Sequence, residues 1–161
     1  MAWAKNGTPD TLGSSGDILT ITDLTATTFN VFLLHGLDTG GVIGPRAQFN
    51  NDTGTNYARR YNNNGGTDGT EVSVDGVNWY SSTNTGTGFF IVYQINLAGE
   101  EKLNIISHIF SATAGAGTAP TRHEAVSKWA NTSVQISEID VNNVGAGSYD
   151  TSSNLSDLGT D

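Results

Sequence analysis

Three histidines, sixteen acidic residues and no cysteine define the chemistry open to this chain. His35, His108 and His123 stand in separate segments. An imidazole does proton or metal work in concert with other groups, and the sequence spacing brings no two of the histidines together; His35 is read as a strand-end residue before a ligand. The sequence contains no His-Glu-x-x-His, no Gly-x-Ser-x-Gly elbow and no phosphate loop. Without Cys there is neither disulfide nor thiolate chemistry. Carboxylates fall mostly in Gly- and Asn-rich turns. The adjacent pair Glu100 and Glu101 sits at a hairpin tip, where no shielded pocket raises a pKa as a catalytic acid requires. The chain is therefore read as a protein that is not an enzyme.

Two binding chemistries are open to it. Asp52 and Asp68 lie in Asn/Gly turns whose oxygens suit Ca²⁺, although their spacing fits neither an EF-hand loop nor a repeating Gly-Gly-x-Gly-x-Asp array. No resident cofactor is expected, with Ca²⁺ as the one candidate. Trp79, Tyr80 and Tyr57 carry rings on which a sugar could stack, and a lid over the core edge is the plainer role for them. Tyr57, Arg59 and Tyr61 alternate along one strand, where guanidinium on ring is read as a stabilising contact before a binding stripe.

Seven basic against sixteen acidic residues give a formal charge of -9, which opposes binding to a phosphate backbone, so nucleic acid is not an expected partner. Residues 138–161 hold Glu138, Asp140, Asp150, Asp157 and Asp161 with no Lys, Arg or His, a pattern read as a solvated, repulsive surface. No apolar run approaches the ~18 residues of a membrane span, and the first ten residues lack the blocks of a secretory signal. The expectation is a product of the cytoplasm, or a mature piece whose signal has gone, with no membrane partner.

The elements that must position these residues are strands. Gly-rich, Thr- and Asn-rich composition with three Pro describes frequent turns. The centre is a hairpin of residues 89–97 and 103–110 around the turn 98–102. Phe89, Ile91, Tyr93 and Ile95 share one face of its first strand; Phe90, Val92, Gln94 and Asn96 share the other. Both faces are expected to be covered near Gly88, with Ile91 between sheets. Further strands are read at residues 17–24, 28–37, 46–50, 56–62, around Val72 and Val74, at 122–131, at 134–141 with a bulge at Ser137 and Glu138, and at 154–159. Residues 81–88 are read as a flexible connection. The fold class is all-β, an antiparallel two-sheet sandwich, most simply a jelly roll. Residues 1–161 form one domain, with 1–15 and 148–161 as candidate extended arms.

Several blocks carry a resemblance. They are Phe49-Asn-Asn-Asp-Thr-Gly-Thr-Asn-Tyr-Ala-Arg-Arg-Tyr61, Asn64-Gly-Gly-Thr-Asp68, Gly99-Glu-Glu-Lys-Leu103, Gly115-Ala-Gly-Thr-Ala-Pro-Thr-Arg122, Lys128-Trp-Ala-Asn-Thr-Ser133 and Ile139-Asp-Val-Asn-Asn143. Together they resemble a family of small virion structural proteins of marine tailed phages and related archaeal viruses, in order and over about residues 11–159. The resemblance implies a self-assembling component of the virion: capsid, head decoration or fibre, or tail appendage. It would be made in the host cytoplasm and partnered by copies of itself and other virion proteins. Contacts are expected at the loops 51–55, 62–70 and 112–121 and at the chain ends. The alternatives are a carbohydrate-binding module or adhesin for a host-surface glycan, and a subunit of an extracellular filament.

Overall fold

A computed structural model describes residues 2–80 and 85–161; the read connection at 81–84 lies outside the described residues. The strands in chain order are β1 (Ala4–Lys5), β2 (Asp10–Thr11), β3 (Ile18–Ile21), β4 (Phe29–Gly36), β5 (Pro45–Phe49), β6 (Tyr57–Asn63) and β7 (Gly69–Val74). There follow β8 (Val77–Asn78), β9 (Thr87–Ile95), β10 (Lys102–Ser111), β11 (Thr121–Trp129), β12 (Ile139–Asn143) and β13 (Asn154–Thr160). There is no helix among the described residues. The protein is all-β and every ladder is antiparallel.

Nine strands make the large sheet, in the order β1-β13-β4-β9-β10-β11-β6-β7, with β2 also on β13. The small sheet runs β3-β12-β5-β8. Alternation along each strand chooses which side chains face inward. From the large sheet Phe32, Leu34, Phe90, Val92, Ile106 and Phe110 are buried. From the small sheet Leu19, Ile21, Ala47, Phe49, Ile139 and Val141 join the same cluster. Phe49 is the hub, its ring 5.8 Å from Trp129, 6.2 Å from Tyr57 and 6.3 Å from Phe32. Burying each such side chain stabilises the fold by about 1.5–3 kcal/mol. The two sheets therefore share one interior, in a sandwich-like arrangement.

The central hairpin forms as read, but its faces are the reverse of the expectation for Ile91. Phe90, Val92 and Gln94 point into the core, whereas Phe89 and Tyr93 are exposed and Ile91 is only half-buried. Polar pairing made the difference. Gln94 Nε2 donates to Asn104 Oδ1 at 2.6 Å, and Asn104 Nδ2 donates to Ser127 Oγ at 3.1 Å, across three adjacent strands. A hydrogen-bonded polar row is cheap to bury, so the half-polar face could become the inner one.

One further expectation is corrected. The segment 134–138 is not a bulged strand, because ladder pairing begins only at Ile139. Side-chain amides replace a neighbouring strand there: Ile136 N donates to Asn96 Oδ1 at 2.7 Å, and Ser137 N and Glu138 N donate to Asn50 Oδ1 at 2.9 and 3.1 Å. The register irregularity of this molecule lies instead at Tyr57 and Ala58. Both chain ends contribute strands to the large sheet. β13 lies between β4 and the short β1 and β2, with Leu155 and Asp157 inside. Gly159 is needed in it, since a Cβ there would stand 2.8 Å from Thr27 Oγ1 and 3.0 Å from Asn6 Nδ2.

Candidate functional site

Facing positions on β10 and β11 bring together two of the three histidines that the sequence keeps apart. His108 and His123 are register partners with ring centroids 5.1 Å apart. His108 stacks on Phe90 at 4.4 Å and its Nδ1 lies 3.1 Å from the Trp79 carbonyl oxygen. Burial pushes His108 down to about 3, helped by His123; burial and then Arg59 push His123 down to about 4. Both rings are therefore neutral core members at ordinary pH. His35 is exposed near the end of β4, opposite Phe89.

The acidic candidates have structural partners. Asp52 Oδ2 accepts from Trp129 Nε1 at 2.6 Å, and its Oδ1 accepts from Gly54 N at 2.9 Å and Asn56 Nδ2 at 3.1 Å. Burial works to raise its pKa, but these donors together hold the carboxyl below its usual range. Asp68 is exposed, 3.5 Å from Arg60. Among the described residues no group of three or more His, Asp or Glu side chains is placed to hold a metal ion. Glu101 is paired with Lys128 at 2.9 Å, while Glu100 contributes its carbonyl to the buried Lys102 ammonium at 2.6 Å.

The three rings weighed as a sugar platform or a core lid take inward or half-buried positions. Tyr57 and Trp79 are buried: the Tyr57 hydroxyl donates to Asp52 O at 2.9 Å and accepts from Phe49 N at 3.0 Å, and Trp79 stacks on Phe32. Tyr80 is half-buried, packed so closely on Gly44 that a Cβ there would lie 2.9 Å from its ring. The Arg59 guanidinium sits 4.1 Å from the Tyr61 ring centre and holds Glu71 with two bonds of 2.7 and 2.8 Å. That pair closes the β6–β7 end of the core.

What the sequence reading missed is on the outer side of the large sheet. Antiparallel register aligns the outward side chains in rows that cross the strands. One row runs Val72, Ala58, Lys128 and Leu103, and the pair Ile95 and Phe29 lines the same groove. The next runs Thr70, Arg60, Val126, Ile105 and Tyr93, and ends at the buried Val31. All but Val31 line an open groove of about 770 Å³, which Trp3 also borders. The signal was present in β10, where Leu103, Ile105 and Ile109 alternate with Ile106 and Phe110, so both faces are apolar. Such two-sided strands are ordinarily covered on both sides; here the second side is bare in the single chain.

No protein-family model, curated protein or solved structure matches this chain.

Proposed function

We propose that the protein is a non-enzymatic structural subunit of a virus particle that works by association of its surface with copies of itself and with other particle proteins. The single observation that carries the associative part is the exposed apolar face of the large sheet, which is wider than a solitary soluble protein ordinarily leaves open. The viral part rests on the resemblance of the blocks from Phe49 to Asn143. The shifted titratable groups fit this reading, because His108, His123 and Asp52 are spent on packing the core and bracing turns.

In the same reading the sandwich is a jelly-roll variant. The support is a nested set of pairings: β6 with β7, β5 with β8, β4 with β9, β3 with β12, and β2 with β13. That nesting is what one long hairpin gives when it is rolled into two layers, and β10 with β11 forms an inserted meander that widens one layer. The loops 51–55, 62–70 and 112–121 then present variable contacts on a rigid frame.

The test is gold labelling of an affinity tag on the chain in purified particles, viewed by electron microscopy. Label on the particles is expected. Label confined to the soluble fraction, or turnover of a substrate by the isolated chain, refutes the proposal.

A further inference from the structure

A continuous apolar face on an acidic protein has to be matched by something apolar at its centre and tolerant of charge at its rim. We propose that the outer face of the large sheet is a self-association surface, covered by the same face of a second copy across a two-fold axis. This rests on the reading of the protein as a self-assembling subunit, and it moves the principal contact from the loops to the sheet.

The first support is area. Val72 is 72% exposed, Ile105 61%, Leu103 54%, Val126 52%, Trp3 51% and Tyr93 50%. Taking about 150–250 Å² for each large side chain when fully open, these residues with Phe29, Phe89 and Ile109 leave on the order of 800 Å², the share one partner contributes to a standard interface. The largest patch on a typical monomer is smaller, about 300–600 Å².

The second support is charge. The charged side chains on this side are paired: Arg60 and Lys128, which stand within the rows, with Asp68 at 3.5 Å and Glu101 at 2.9 Å, and Arg122 with Glu124 at 3.7 Å. Each pair cancels, so the formal charge of -9 belongs to the remainder of the molecule. Two copies meeting elsewhere repel each other, whereas here they meet neutral and largely apolar, with the ion pairs on the face able to exchange partners across the contact. An anionic lipid surface or a nucleic acid would be repelled by the same net charge.

The third support is shape. The aligned rows form a ribbed sheet surface, and two such surfaces stack at about 10 Å in every sheet-on-sheet packing. A face that contacts its own copy needs only a two-fold axis, and such a contact closes at the dimer. Trp3, standing at the rim, is of the residue type that most often anchors such contacts.

Sedimentation equilibrium of the full chain over a range of concentrations tests this. Ile105→Lys and Val126→Lys change exposed positions, and Thr22→Lys, exposed just after β3 of the small sheet and outside the named contact loops, is the control. The wild type should dimerise reversibly, each face variant should raise the dissociation constant by at least about tenfold, and the control should leave it unchanged. Melting curves verify that each variant is folded. Trp3 gives a readout that leaves the sheet intact, since Trp79 and Trp129 are already buried. Its emission should shift to the blue on dimerisation, and Trp3→Phe should remove the shift. A wild type that stays monomeric throughout overturns both the inference and the self-assembly reading beneath it. A wild-type dimer that both lysine variants leave intact, or that forms with no change in Trp3 emission, overturns the face assignment alone.

Discussion

Asp157 offers the sharpest test of how the closing strand is held. Its carboxyl is buried on β13, and its Oδ2 accepts from Asn30 Nδ2 at 2.6 Å and from Asn6 Nδ2 at 2.9 Å. Desolvation outweighs both bonds and raises the pKa from 3.8 to about 7. An acid raised on folding binds its proton in the native state first, so its contribution is full below the unfolded value and is lost as pH climbs through the folded one. At about 1.4 kcal/mol per unit, roughly three units amount to about 4 kcal/mol. Asp157→Asn keeps the shape and an acceptor oxygen while removing the titration. The stability difference, variant minus wild type, should rise by about 4 kcal/mol between pH 4 and pH 8. Denaturant melts across that range measure it.

The two core histidines give the same experiment a second readout. Their pKa values are depressed on folding, to about 3 and about 4, so their stabilising effect is present above 6.5 and is lost as pH falls towards 4. Between pH 5 and 6 the wild type should take up a net of about one proton on unfolding, two at the histidines less one released by Asp157. Asp157→Asn should take up about two. A stability difference that stays flat with pH, or an equal proton uptake in both proteins, would refute the assignment of Asp157 as a buried acid.

Val92→Asp should abolish soluble folding, because it places a carboxylate in the shared interior, while Ile91→Asp should keep a cooperative melt; the reverse order would mean that the hairpin faces are misassigned. Arg59→Met strands the Glu71 carboxylate and should cost about 3–5 kcal/mol, whereas Arg60→Met, in an exposed pair, should cost less than about 1 kcal/mol; chemical denaturation of the two variants side by side decides it. Trp129→Phe removes the only indole donor to Asp52 and some core volume, and should cost about 2–4 kcal/mol in the same assay, with no loss if that bond is idle.

Strand positions were largely legible because period-two alternation is local. Residues 28–37, 56–62 and 154–159, read as strands, match β4, β6 and β13 to within a residue or two. What the pattern could not carry was pairing. Which face of the hairpin went inside depended on Asn104 and Ser127 lying opposite Gln94, a fact about neighbours on other strands. The segment around Ile136 looked like a strand because it is extended and has a core residue. Its hydrogen bonds go to Asn50 and Asn96, distant in sequence. Trp79 and Tyr57, whose plainer readings are a core-edge lid and a stabilising contact, are buried outright, which their polar flanks do not reveal. Likewise the apolar face was visible only as a surplus of hydrophobic residues on β9 and β10. Its continuity comes from register with β4, β6, β7 and β11.

The chain has no cysteine, so one introduced thiol reports one place. Ser107→Cys puts a spin label on the outer side of β10, and Thr53→Cys puts one on the loop after β5; both positions are exposed. Dipolar distance measurement on the labelled protein at dimer-forming concentration then asks which surface faces its copy. Sheets stacked at about 10 Å place the two Ser107→Cys labels close together with a narrow distribution, and leave the Thr53→Cys labels far apart. Close labels at position 53 with none at 107, or no coupling at either position, would contradict association through the sheet face.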